Sequence, residues 1–239
     1  MSLTDRDLGR AQASGGARLG VVLAALTLLG PAAMDLYLPV LPTLARELAV
    51  PTSTAQLTMS MCLLGLAFGQ VVAGPLSDRY GRRRPLIVGL VGFVAASLLC
   101  AVTDSSATLI VLRLAQGLTA ATALVIAQAA GRDVYSGRSL TRYYGRIVVI
   151  SGLAAIVAPV VGGQLAKVLD WRGFFVVLSV LGAVILVTVM LQFHETLPNG
   201  HRTTGGLKQS GGHLRRLLKD RWFFGAMSSS ALIAGAYFA

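Results

Sequence analysis

The sequence predicts an all-α integral membrane protein, a six-helix bundle followed by the beginning of a second bundle. Three observations carry that expectation. Hydrophobic residues make up 54% of the 239-residue chain and charged residues only 13%, a balance that excludes an ordinary soluble domain. The apolar residues are gathered into runs of about 20, enough for a helix to cross the hydrocarbon layer. The basic residues collect between alternate runs, as they do when one side of the membrane is cytoplasmic.

The first apolar run, 19–38, is long, carries Asp35 and lacks a small-residue cleavage site before the next polar segment, so it reads as a retained helix rather than a signal peptide. Further spans are expected at 55–76, 85–102, 107–130, 147–168 and 173–193. The third and fourth are joined by only 103–106, too short for anything but an antiparallel hairpin. A seventh span begins at Trp222, and the sequence stops within it at Ala239. The expected organisation is therefore a cytoplasmic tail (1–17), a six-helix bundle (18–196), an interdomain linker (197–220) and the incomplete start of the seventh helix (221–239). In the linker, PNG and TTGG suggest flexible backbone. Its Leu207, Leu214, Leu217 and Leu218 among Lys and Arg read either as a basic amphipathic turn on the inner membrane surface or as a solvated connection.

A cytoplasmic N-terminus puts Arg6, Arg10, Arg18, Arg79, Arg82, Arg83, Arg84, Arg132, Arg138, Arg142 and Arg146 inside, with the basic residues of the linker. Only Arg46, Lys167 and Arg172 then fall outside, and Arg113 lies within a span. This bias accounts for the net charge of +11 without a nucleic-acid partner. Cys62 and Cys100 lie in apolar runs without metal-ligand spacing and read as packed free thiols. No metal or cofactor is expected, and His194, His201 and His213 are given no role. A membrane enzyme is disfavoured, because there is no nucleophile and base pair, no phosphate-cradling loop and no metal constellation.

Four stretches carry the functional reading. The first is GPLSDRYGRRR, Gly74 to Arg84, five charges wedged between two apolar runs. Gly74 and Gly81 permit close approach and positive φ, Pro75 interrupts the hydrogen-bond ladder, and Asp78 stands among four arginines. The second is LRLAQG, with Arg113, Gln116 and Gly117 inside the fourth span. An arginine there costs several kcal/mol unless it meets a polar cavity or a partner, so it either serves such a cavity or snorkels to the outer surface. The third is MDLYLPVLP, which sets Asp35 and Tyr37 at the outer end of the first span, about 6 Å in height from Arg113 if the two helices run antiparallel. Asp35 either pairs with Arg113, directly or through water, or caps loose backbone at the Pro-rich helix end. The fourth is GLAAIVAPVVGG, whose Gly152, Pro159, Gly162 and Gly163 lie near one stripe of the fifth helix. Small residues there permit close packing and the proline favours a bend.

GPLSDRYGRRR resembles the major facilitator superfamily signature Gly-x-Leu-Ala-Asp-Arg-x-Gly-Arg-Lys/Arg, found between the second and third helices. LRLAQG is similar to the family's fourth-helix Arg-x-x-Gln-Gly motif. GLAAIVAPVVGG resembles the antiporter motif Gly-x-x-x-Gly-Pro-x-x-Gly-Gly, departing from it at Ala158. Asp-x-Tyr-Leu-Pro-x-x-Pro resembles the first helix of the Bcr/CflA drug-resistance branch. Looser likenesses to that branch are GRDVYSGR, with Arg132, Asp133 and Arg138, and DWRGFF and HETLP at the two ends of the sixth span, where Trp171 reads by default as an interfacial anchor.

The resemblance implies the N-terminal half of a drug/proton antiporter in the cell (inner) membrane. Such a carrier exports small amphiphilic compounds while protons enter, by rocking two bundles about a midplane site. Asp35 and Arg113 would couple protons, Gly74, Asp78, Arg79, Gly81 and Arg82 would form a conformational latch onto the missing C-terminal bundle, and Tyr37, Gln116 and Gln128 would line the cavity. Nutrient uptake and a non-transporting remnant are the competing expectations. The fifth-helix stripe argues against uptake.

Overall fold

The computed structural model describes the backbone of residues 3–197, together with residues 225, 228 and 229, and side chains from residue 19 onward. The expected linker beyond residue 197 and the seventh span lie outside the described residues, apart from the three helical positions at 225, 228 and 229. The chain divides into two compact units, Met1–Arg202 and Thr203–Ala239, and the helices named below belong to the first.

These are α1 (Leu3–Asp35), a 3-10 turn (Leu38–Val40), α2 (Leu41–Glu47), α3 (Thr52–Tyr80), α4 (Arg83–Val102), α5 (Ser106–Val134), α6 (Gly137–Leu165) and α7 (Trp171–Gln192). Among the described residues six stretches are long and apolar enough to cross a membrane, the first running from Leu19 to Glu47 through α1, the turn and α2. The first span therefore extends past its expected end at residue 38. Pro39 and Pro42 do not stop it, because each sits in the first turn of the following short helix, where a missing N–H costs little.

The fifth span also departs from expectation, beginning ten residues earlier, at Gly137 and not Ile147. Ser136 and Ser139 form a reciprocal capping box, which starts the helix in the polar segment. Arg138, Arg142 and Arg146 consequently lie on helix and not in a loop. Caps also start α5, where the Ser105 hydroxyl accepts from the Thr108 N–H, and α7, where Asp170 accepts from the Gly173 N–H at 2.8 Å. Gly81 ends α3 with φ of +86°, a backbone conformation that a side chain would strain.

Helix α5 is central, packing on α3, α4 and α1, while α4 also packs on α7, and α1 on α6 and α7. The α3–α5 seam is closed by glycines. A Cβ on Gly65 or Gly69 would strike the backbone of α5 at Leu114 or Leu118, and one on Gly117 would strike the backbone of Cys62. Small residues allow such approach, and the resulting dispersion contacts hold helices together where lipid removes the hydrophobic drive. Val88, Val91, Leu98, Val180, Val184 and Leu191 remain outward-facing, as a lipid-facing surface requires.

Candidate functional site

Arg113 sits on α5 with no exposed surface, alongside equally buried Gln116 and Tyr37. Snorkelling to the outer surface is therefore excluded in this structure. Its Nη1 donates to Gln116 Oε1 at 2.6 Å and its Nη2 to the Ala33 carbonyl at 3.1 Å. The guanidinium carbon lies 4.7 Å from the Tyr37 ring centre and 5.6 Å from that of Phe175, both within cation–π range. Gln116 Nε2 donates onward to Ser97 Oγ at 2.7 Å, and the Ser97 hydroxyl donates to the Phe93 carbonyl. The Tyr37 and Thr58 hydroxyls share a hydrogen bond at 3.3 Å. Residues of five helices, α1, α3, α4, α5 and α7, thus build the surroundings of one cation, and its hydrogen-bond partners among the described residues are neutral.

One polar atom of this cluster is left over. The Arg113 Nε is buried and has no hydrogen-bond partner among the described residues, where a buried donor ordinarily finds one. Asp35, two residues beyond Ala33 on α1, is half-buried and makes no hydrogen bond or ion pair with a described residue. The direct Asp35–Arg113 pair is not formed; on α1 it is the Ala33 carbonyl that accepts from Arg113 Nη2. Gln128 is exposed, and its carbonyl accepts from the Tyr144 hydroxyl at 3.2 Å, so it stands apart from the cluster that holds Gln116 and Tyr37.

At the end of the bundle where α3 meets α4, a second cluster surrounds the signature loop. Arg82 is 6% exposed. Its Nη1 donates to Asp78 Oδ1 at 2.5 Å and to Ser77 Oγ at 2.7 Å, and its Nε donates to Asp133 Oδ2 on α5 at 2.9 Å. Burial alone would lower the pKa of Arg82, but hydrogen bonds and charge from Asp133 and Asp78 outweigh it and hold that pKa above the ordinary arginine value, so the side chain stays cationic. Glu195 accepts from the backbone N–H groups of Arg82 at 2.8 Å and Arg83 at 3.3 Å. A carboxylate from beyond α7 therefore supplies the acceptor for the start of α4, where a negative charge favours the helix dipole. The Thr196 hydroxyl donates to Asp133 Oδ2 at 3.2 Å.

Asp78 and Arg79, in the last turn of α3, face outward, whereas Gly81 is buried. The Asp78 side chain is 46% exposed, Arg79 is exposed with its guanidinium carbon 5.2 Å from the Tyr80 ring centre, and the Gly74 carbonyl accepts from the Ser77 hydroxyl. On α6, a Cβ at Gly162 would meet the Leu36 carbonyl, whereas one at Gly152 or Gly163 would meet nothing within 4 Å. Only Gly162 of that stripe uses its smallness to approach a described neighbour.

Asp133 and Glu195 carry the loop cluster, and the motif reading gave them no separate role. Their signal lay in GRDVYSGR and HETLP. The opposite end of the bundle holds another set of ties. Trp171 is fully buried, not interfacial, and its Nε1 donates to Glu47 Oε2 at 2.8 Å. Arg172 reaches Asp104 at 2.5 Å and Glu47 at 3.6 Å.

Residues 23–239 fit the sequence profile of the Major Facilitator Superfamily. The chain belongs to that superfamily. A relative in Bacillus subtilis, the MFS-type transporter YdgK, is 38% identical over 223 residues, covering 92% of this chain and 56% of its own length. The bicyclomycin resistance protein homolog of Haemophilus influenzae is 29% identical, covering 92% of this chain and 55% of its own. A chloramphenicol resistance protein of Pseudomonas aeruginosa is 36% identical over 160 residues, covering 66% of this chain and 38% of its own. The crystal structure of the human organic anion transporter MFSD10 matches with a TM-score of 0.66 at 20% identity, over 82% of this chain and 52% of that one, a likeness of fold. The chain spans about half the length of the superfamily relatives it matches. Superfamily membership and six apolar helices make it a multi-pass membrane protein of a transporter family, not of an enzyme family.

Proposed function

We propose that this chain is the N-terminal bundle of a proton-coupled exporter of small amphiphilic antibiotics, of the Bcr/CflA kind, working by alternating access with a C-terminal bundle. The observation that carries the reading is the fully buried Arg113, held by Gln116, Tyr37 and the Ala33 carbonyl with its Nε unpaired. An uncompensated cation in a membrane helix is costly and marks a functional pathway. Asp35, half-buried and without a described partner, is the carboxylate that takes up and releases the proton, and Arg113 is the fixed cation of the same pathway. Tyr37 and Gln116 shape the cavity, and Gln128 would join them only where a second bundle closes over it. Relatives named for bicyclomycin and chloramphenicol resistance support the substrate class. The α6 stripe, with Gly152, Pro159 and Gly163 left open, supports export rather than uptake.

The exposed edge of Asp78 and the outward Arg79 are the parts of the loop free to latch a second bundle, while Arg82, following the Gly81 turn, holds the loop rigid from within; Gly74 lies within α3 and takes no part in that turn. The basic end of the bundle faces the cytoplasm across an inner membrane.

The test uses the complete reading frame that contains this chain, expressed in an antibiotic-sensitive bacterium. Chloramphenicol accumulation is followed with and without a protonophore. Export should depend on the proton gradient, and Asp35→Asn and Arg113→Gln should each abolish that dependence. Undiminished, proton-dependent export by Asp35→Asn would overturn the coupling assignment.

A further inference from the structure

The seam between α1 and α6 contains two hollows that share Ile150. The first, about 500 Å³, lies toward the signature-loop end, with Gly20, Val21 and Ala24 on one wall and Arg142, Arg146 and Ile147 on the other. The second, about 410 Å³, continues between Leu28 and Ala32 on α1, with Leu36 just past its end, and Ala154, Val157 and Val161 on α6. Along α1 and its end the lining positions 20, 24, 28, 32 and 36 step by four, and on α6 positions 143, 146, 150, 154, 157 and 161 step by three or four. These are the spacings of one helix face, so the two hollows are one groove. Sixteen residues at 1.5 Å each make it about 24 Å long, more than the roughly 15 Å of one leaflet of a 30 Å hydrocarbon core. Val21, Leu153 and Val157 remain more than half exposed along it, so it is open to the surroundings.

The groove is chemically graded. Its inner length is almost wholly apolar, and its mouth carries two arginines. Arg142 and Arg146 are one turn apart on the same face, where like charges repel, and neither has a hydrogen bond or ion pair to a described residue. Two cations beside an apolar trough match an anionic headgroup joined to a hydrocarbon tail, and basic pockets between membrane helices hold such headgroups. A free anion would leave the apolar trough unused, and a neutral lipid would leave the arginines unpaired. We propose that this groove binds an anionic phospholipid, its phosphate between Arg142 and Arg146 and one acyl chain along the α1–α6 trough.

The test is lipid retention. The full chain is reconstituted in nanodiscs of phosphatidylcholine with a minor fraction of phosphatidylglycerol, then extracted into detergent, and the co-purifying lipid is identified by mass spectrometry. Phosphatidylglycerol should be enriched about tenfold over its share of the bilayer. Enrichment should vanish in the Arg142→Gln/Arg146→Gln double variant and fall in Ala154→Phe, which fills the apolar trough. It should persist in Arg138→Gln, an exposed arginine that does not line the groove. Absence of enrichment in the unaltered chain, as when a protein helix fills the groove, overturns the proposal. So does an equal loss in Arg138→Gln, which would mean general surface charge. Displacement by inorganic phosphate with Ala154→Phe silent would reduce the site to a simple anion site.

Discussion

The two helix pairs that flank the buried arginine are built in opposite ways. Between α3 and α5, Gly65, Gly69 and Gly117 bring backbone against backbone. Between α1 and α6 only Gly162 does so, against the Leu36 carbonyl, and the rest of the interface is a groove. The apolar stretch of α6 is 17% buried, against 44% for α5. Both α5 and α6 are rich in small residues, so smallness alone does not make a tight seam. What differs is whether another backbone lies opposite the glycine. The tight seam carries Arg113 on one helix and Thr58, the partner of Tyr37, on the other. The loose seam leaves a trough along α6 open, the one proposed above for an acyl chain.

The largest expected effect strikes the tight seam. Gly117→Val should destabilise the bundle by about 3 kcal/mol or more, because the added carbons meet Cys62 backbone that has nowhere to move. Loss of monodisperse protein and a large drop in thermal midpoint in detergent would show it. Second comes Asp133→Ala, which removes one partner of a buried cation and should cost about 3 kcal/mol. The same thermal scan reads it, and Arg82→Ala on that background should cost much less than alone.

Glu195→Gln should be milder, about 1 kcal/mol, since the amide oxygen still accepts from the Arg82 N–H while the favourable charge at the α4 start is lost. Amide exchange in the first turn of α4 should quicken while exchange in α5 stays unchanged. Gly152→Ala should be the smallest, neutral or stabilising by up to about 1 kcal/mol, because its Cβ meets nothing and alanine favours helix. If Gly152→Ala proved as damaging as Gly117→Val, the contrast between the seams would fail, and α6 would have to be packed by something beyond the described residues.

The signature loop shows how far reading residues in order can reach. Gly81, Asp78 and Arg82 were legible as a turn and a charge cluster, because their types and spacing are local. The partners of Arg82 were not. Asp133 is 51 positions away, and Glu195, which holds the Arg82 N–H, is 113 positions away. Arg113 was legible as an anomaly, since one cation in a long apolar run stands out. That it bonds to the Ala33 carbonyl and not to Asp35, and that Ser97, Thr58 and Phe175 surround it, depends on how five helices are rotated about their axes.

By itself, the sequence determined that the chain spans a membrane six times in its described length, which end is basic, and which residues are out of place there. Transfer free energies and charge belong to single residues and add along a helix, so they can be read in order. Only the tertiary structure decided that Gly117 faces the Cys62 backbone while Gly152 faces open space, that α6 begins at Gly137, and that the α1–α6 seam is a graded groove. Each of those depends on what lies opposite a residue, and the opposite surface comes from helices distant in sequence whose pairing is set by packing.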